Sequence, residues 1–187
     1  MLRQIKESFK KKALVIATIV PVMPNPAQAC DEVQLSFMPS SKHYGERFEP
    51  KDGYNEAQNA IQILCNRVFE ISPRSDFVLG VGGTIFKNSF GKKSKGIGGN
   101  AEFRYKLADH FGVYGGVHVG MVDGYQDHIH APDIFIGDFM LFATENLGVS
   151  YDASDHVTWR TGVAITPQIK GFNDGAVIGT FGMSYRF

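Results

Sequence analysis

The chain has 187 residues, with 19 basic and 19 acidic side chains, so its formal net charge is zero. No basic balance calls for nucleic acid, and neither of the two cysteines stands in a metal-binding spacing. After residue 29 no apolar run is long enough to cross a bilayer as a helix, so any crossing must be made by strands.

Arg3, Lys6, Lys10, Lys11 and Lys12 stand against the single acid Glu7, and an apolar run over 13–23 follows. Pro24, Asn25 and Pro26 lead to Ala27-Gln28-Ala29. A basic segment, a short apolar segment and an A-x-A site predict a secretory signal over 1–29. A membrane anchor is the rival, disfavoured by the shortness of the run. Cys30, directly after the site, invites a lipoprotein reading, although the residues before it lack the usual leucine. Without residues 1–29 the chain keeps 158 residues, 14 basic and 18 acidic, or −4. Residues 30–187 are read as one domain. Export implies an oxidising compartment, where Cys30 and Cys65 can form a disulfide. A hairpin of 31–41 with 55–70 would bring Cys30 near the register of Cys65.

Strand one is predicted over 32–40, with Val33, Leu35 and Phe37 on one face and Gln34, Ser36 and Met38 on the other. A polar loop covers 41–53. Strand two covers 54–71, where Arg67 shares a face with Ile61, Ile63 and Phe69. A turn over 72–75 leads to strand three, 77–86, with Phe77, Leu79, Val81 and Ile85 outward. Loop two is 87–95 and strand four 96–107, with Glu102, Arg104 and Lys106 on the inner face. A turn over 108–110 precedes strand five, 111–122, with Tyr114 and His118 inward. Loop three is 123–133. Strand six, 134–151, carries Glu145 on its apolar face, which predicts a bulge or an earlier strand end. A turn over 152–155 and strand seven, 156–166, follow, then loop four, 167–175.

In the last strand, 177–187, Val177, Phe181, Met183, Tyr185 and Phe187 alternate with Ile178, Thr180, Gly182, Ser184 and Arg186. A soluble antiparallel strand shares this alternation. The aromatic ending resembles the C-terminal strand that the outer-membrane assembly machinery of bacteria reads. Eight strands, joined alternately by short turns and long loops, predict an all-β, eight-stranded antiparallel up-and-down transmembrane β-barrel in the cell outer membrane. A barrel of this size is filled by side chains and is no porin. Glu102, Arg104, Lys106, Asp138 and Arg160 are expected to pair inside it. A monomer is expected.

This topology puts loops one and two on the same outer side. His43 in the first and Ser89 in the second are the raw material of acyl transfer, the imidazole taking the hydroxyl proton as the oxygen attacks a carbonyl. Two solvated loop residues read the same way by composition. Loop three holds Asp127, His128, His130 and Asp133, a zinc- or copper-compatible set that a polar loop would equally carry; no metal is assigned. Lys87, Lys92, Lys93 and Lys95 are either solvated or in contact with lipid A phosphates.

Three segments follow one another: Ser41-Lys42-His43-Tyr44, Tyr54-Asn55-Glu56 and Phe86-Lys87-Asn88-Ser89-Phe90. Their order resembles the lipid A palmitoyltransferase family of outer-membrane barrels. The resemblance implies that His43 and Ser89 match that family's proposed active-site histidine and serine, with Asn88 standing where the family has an aspartate. It implies transfer of palmitate from a phospholipid to lipid A, with the acyl chain in a lumenal pocket and no cofactor. Tyr54, Lys87, Lys92 and Lys93 are the expected substrate contacts. Thr166-Pro167 resembles the family's late-strand proline, which opens a lateral path for lipid. The family's amphipathic N-terminal helix is missing, as is the proline after its Tyr-Asn-Glu motif. Two other readings stand beside this one. The first is a non-catalytic barrel that binds lipid or serves a structural role. The second, ranked last, is a soluble secreted barrel.

Overall fold

The computed structural model describes residues 30–44, 54–126, 135–168 and 175–187. By packing, the chain divides into Met1–Cys30 and Asp31–Phe187, and the fold below is that of the second unit. The expected signal segment and the histidine-rich stretch at 127–133 lie outside the described residues.

Ten strands form one antiparallel sheet: β1 Glu32–Met38, β2 Ser41–Tyr44, β3 Ala60–Ser72, β4 Ser75–Lys87, β5 Lys93–Lys106, β6 Phe111–Val122, β7 Phe135–Ile136, β8 Phe139–Asp152, β9 Val157–Thr166 and β10 Gly175–Arg186. The order β1-β3-β4-β5-β6-β8-β9-β10 closes on itself where β10 pairs with β1, from Glu32↔Arg186 to Phe37↔Phe181. Closure removes the free edges at the ends of the sheet order, as a sheet in lipid requires. β2 continues β1 along β10, and β7 is a short hairpin extension of β8. The ten strands therefore make eight staves, a closed eight-stranded barrel.

The staves read outside-in relative to a soluble protein. Leu79, Val81, Ile85, Ile97, Val119, Leu147 and Val149 are exposed on the outer face, whereas Glu32, Gln34, Asn66, Asn100, Glu102 and Arg160 are buried. Exposed apolar surface of this extent marks a face turned to lipid. At the end carrying the short turns, Phe69 pairs with Phe77 and Phe77 with Phe103, while Phe111 pairs with Tyr151 and Tyr151 with Trp159. With Tyr185 and Phe187, whose rings meet edge-on at 5.5 Å, these side chains form an aromatic girdle.

Inside, near that end, four charges and two amides interlock. Arg104 grips Glu32 with both terminal nitrogens, at 2.7 and 2.8 Å, and donates from Nε to Glu102 at 2.7 Å. Arg160 reaches Glu102 at 2.6 Å and Gln34 at 2.9 Å, and its guanidinium lies 3.9 Å over the Tyr114 ring. Asn66 donates to Glu32 at 2.9 Å. Every charge meets its opposite, so the plug is neutral. This is how such groups can stand inside a barrel.

Several expectations need correcting. Asp138 is exposed in the turn between β7 and β8, where Gln126 donates to it at 2.8 Å, because β8 begins only at Phe139. Lys106 is exposed at the rim, 3.8 Å from Asp152. Strand two starts at Ala60; residues 54–59 run without strand pairing past Asn59, whose φ of 47° breaks the extended geometry. Loop two shrinks to 88–92, because β4 and β5 stay paired up to Lys87↔Lys93. There is no bulge at Glu145: β8 holds one register against β6 from Phe111↔Tyr151 to Val122↔Met140. Glu145 instead stands exposed on the lipid-facing side. It marks the point where β9 parts from β8, whose pairing begins at Glu145↔Ile165 and runs only toward the short-turn end. Among the described residues, the outer half of β8 has β6 and β7 as partners but not β9.

Both cysteines are disulfide-bonded, and none is free. The expectation that Cys30 and Cys65 pair within one chain makes a simple prediction. Unreduced, denatured protein should take up no thiol label and run as a monomer. Two labels, or a disulfide-linked dimer, would count against it.

Candidate functional site

The site begins with an irregularity. In β1 the even residues Glu32, Gln34 and Ser36 face inward. Between Phe37↔Phe181 and Ser41↔Ile178 the chain takes four steps against three on β10, a one-residue bulge at Pro39–Ser40. A slip of one residue exchanges the two faces of a strand. The odd residues Ser41 and His43 therefore turn into the barrel, while Lys42 and Tyr44 are exposed. Without the bulge, His43 would point at lipid. The expectation that His43 lies in a loop is thus corrected: it sits on a strand, aimed by a bulge.

Ser89 lies in the turn after β4, and His43 Nε2 is 2.7 Å from its Oγ. Residues 54–58 strap the two elements together. Asn55 N–H donates to Ser89 O at 2.7 Å and its side-chain amide to Asn88 O at 3.0 Å. Ser41 N–H donates to Glu56 O at 2.9 Å, and Lys87 N–H to Gln58 O at 2.9 Å. The order of the three sequence segments thereby acquires a physical reason: the middle one ties the histidine strand to the serine turn. Tyr54 also stacks on the His43 ring, with centroids 4.2 Å apart and planes 23° from parallel. Phe90 meets Tyr54 edge-on at 6.2 Å and Tyr125 at 6.0 Å.

Asn88 does not occupy the place of an acid beside His43. Its side chain is wholly buried. Oδ1 accepts from Phe90 N–H at 3.0 Å and Lys92 N–H at 2.9 Å, while Nδ2 donates to Gly124 O at 2.8 Å. The amide accepts with its oxygen and donates with its nitrogen, which an ionised carboxylate cannot do. Gly124 has a φ of +83°, and a Cβ there would crowd Ser94 Oγ and the Asn88 amide, so the clasp depends on a bare backbone. Its consequence is the position of Tyr125, which sequence reasoning missed as one more residue of loop three. Tyr125 lines the same cavity as Ser89, and Ser89 acts on its phenol. Burial pushes the Tyr125 phenol up, and Ser89 pulls against this, leaving the group raised and protonated at neutral pH. Ser89 therefore lies between an imidazole and a neutral phenol.

Asn88→Asp tests this account. A carboxylate keeps the two N–H bonds but loses the donor and faces the Gly124 carbonyl, at a cost of about 1–3 kcal/mol for the unmet buried group. Lower heat resistance of the folded barrel is expected, with no gain in any activity the site has. A gain would return Asn88 to the role of a missing acid.

His43, Tyr54, Ser89, Phe90 and Tyr125 open onto a cavity of about 210 Å³. Its walls carry Met38, Leu64, Phe86, Met140 and Phe142, and Glu102 and Arg160 form its floor. Glu102 is the one carboxylate among the described residues of the lining, and both its oxygens are taken by arginines. Lys87, Lys92 and Lys93, expected near the substrate, do not line this cavity. Lys87 and Lys93 stand exposed on the outer face of β4 and β5, and Lys92 is exposed in the turn. Among the described residues no cluster of metal-ligating side chains is present.

No family model matches the chain, and no curated protein does. Solved structures do. The crystal structure of Neisserial surface protein A is similar over 83% of this chain and 96% of that one, at 16% identity and a TM-score of 0.52. Ail, the attachment invasion locus protein of Yersinia pestis, is similar over 84% of this chain and 99% of its own, at 10% identity and 0.48. The N-terminal β-barrel domain of Pseudomonas aeruginosa OprF covers 84% and 98%, at 8% and 0.49. At such identities the likeness is one of fold, and the first of these carries it: the chain has the closed eight-stranded fold of small outer-membrane barrels.

Proposed function

We propose that this protein is an outer-membrane acyltransferase that takes an acyl chain from a phospholipid and delivers it to lipid A. The observation that carries the reading is the 2.7 Å approach of His43 Nε2 to Ser89 Oγ at the mouth of an apolar-walled lumen. In the first step the Ser89 oxygen attacks the ester carbonyl while its proton passes to His43 Nε2, and the Tyr125 hydroxyl donates to the oxyanion. Collapse expels the lysophospholipid alkoxide, which takes the proton back from His43. The acyl chain then resides on Ser89 with its tail in the lumen, and a lipid A hydroxyl repeats the sequence in reverse. Among the described residues β9 does not pair with β8 beyond Glu145↔Ile165, which supports lateral access from the outer half of the bilayer. Palmitate as the chain, and monomeric action, extend the reading by the resemblance of the three segments.

The test is mass spectrometry of lipid A from cells with and without the protein, together with transfer of labelled acyl chains in detergent. An added acyl chain that depends on His43 and Ser89 is expected; unchanged lipid A and no transfer would remove the proposal. A second reading, a non-catalytic barrel that holds lipid, is what the closed eight-stranded fold supports by itself, because fold does not settle chemistry.

A further inference from the structure

We propose that Lys87, Lys93 and Lys95 form a docking site on the outside of the barrel for the phosphate of an anionic lipid in the outer leaflet. The site is separate from the lumenal cavity, and the proposal does not rest on acyl transfer.

The register creates the site. Lys87 lies directly opposite Lys93, and Lys95 opposite Ile85, one diagonal step from Lys87. All three side chains are exposed on the outward parity shared with Ile85 and Ile97. Directly opposed residues of an antiparallel pair have Cβ atoms about 5 Å apart, and like charges so placed destabilise the pair. Among the described residues no carboxylate forms an ion pair with any of the three. The nearest acid along the sheet, Asp123, uses Oδ1 to accept the Lys95 backbone N–H at 2.7 Å. Glu56, on the strap beside β4, is exposed and makes no ion pair among the described residues. The hairpin is held closed through this repulsion by the buried Asn88 clasp, so the charges are presented and not splayed apart.

Depth identifies the ligand. From Phe77↔Phe103 in the aromatic girdle to Lys87↔Lys93 is ten residues along β4. At roughly 3.3 Å per residue and a tilt of about 35–45°, that is on the order of 23–27 Å along the barrel axis. The apolar band of an outer-membrane barrel is about 25 Å tall. The lysines thus stand one band height above the girdle, where lipid phosphates lie. Directly beneath them Ile85 and Ile97 would pack against acyl chains. A phosphate bridging Lys87 and Lys93 cancels their repulsion and gains charge-assisted hydrogen bonds. A soluble anion would meet the same charges but not the apolar shelf.

The experiment uses the full barrel in phosphatidylcholine nanodiscs doped with phosphatidic acid, released and weighed by native mass spectrometry. A lysine near an anionic surface contributes roughly fivefold in affinity, so Lys→Gln at all three positions should lower retention of phosphatidic acid by on the order of a hundredfold. Retention of phosphatidylcholine should not change. The difference should shrink at high salt. Inorganic phosphate should displace the lipid no better than chloride at equal ionic strength. Unchanged phosphatidic acid retention in the triple variant would overturn the proposal. Selective displacement by inorganic phosphate would also overturn it, marking a simple anion site. If the triple variant fails to fold, K93Q alone, expected to show the fivefold loss, decides the matter in the same way.

Discussion

His43→Ala and Ser89→Ala are each expected to lower acyl transfer by about 10²–10⁴-fold, the range of a positioned general base, and with a lost nucleophile at its upper end. The two side chains share one hydrogen bond of 2.7 Å, so they act as a unit. The double variant should then be little worse than either single one, since groups acting together are strongly non-additive. Tyr125→Phe removes only the hydroxyl beside Ser89 and should cost less, about tenfold to a hundredfold. None of the three should change heat-modifiable gel mobility, because the barrel is closed by pairing far from the mouth. The measurement is the initial rate of labelled acyl transfer in detergent. Four proteins of equal, measurable rate would dismiss the dyad. Four of equal inactivity would favour the lipid-holding reading.

The barrel was legible because strand alternation survives almost intact. Leu79, Val81 and Ile85 announce lipid, and Glu102, Arg104 and Arg160 announce the lumen, without any tertiary knowledge. The site was half legible. Its histidine, serine and strap residues are named by their order in the chain, but the device that aims His43 is one extra residue at Pro39–Ser40. A bulge leaves no periodic trace in so short a segment. Asn88 was read through the chemistry of the residue it replaces, whereas its role follows from a carbonyl 36 positions away, that of Gly124. Tyr125 became visible only through that clasp. Glu145 misled in the other direction. A charged residue on an apolar face argued for a bulge, yet pairing on both sides keeps it in register and leaves it exposed where β9 departs. The lumenal plug is legible in Glu102, Arg104 and Arg160 but not in Glu32, Gln34 and Asn66, which look like ordinary polar positions until closure brings β1 and β3 beside the arginines.

The largest effect on stability is expected at Glu102. Its two oxygens bind Arg104 at 2.7 Å and Arg160 at 2.6 Å, and all three side chains are shielded from solvent. Glu102→Gln removes a negative charge but leaves both guanidiniums, so the plug passes from balanced to an excess of one positive charge. Breaking a buried pair by removing one partner costs roughly 3–5 kcal/mol, since the remaining charge stays desolvated. Removing Arg160 as well restores the balance. Glu102→Gln combined with Arg160→Met should therefore recover a substantial part of the loss, apart from the bond to Gln34 and the contact over Tyr114. The exposed pair Arg67–Asp31 provides the contrast: 54% and 40% of these side chains are accessible, and Arg67→Ala should cost under about 1 kcal/mol. Urea unfolding in detergent micelles, followed by the shift in gel mobility, measures the parent and all three variants on one scale. A Glu102→Gln barrel as stable as the parent would mean that the plug contributes nothing. A double variant weaker than the single one would mean that Arg160 acts through its packing on Tyr114 and not through its charge.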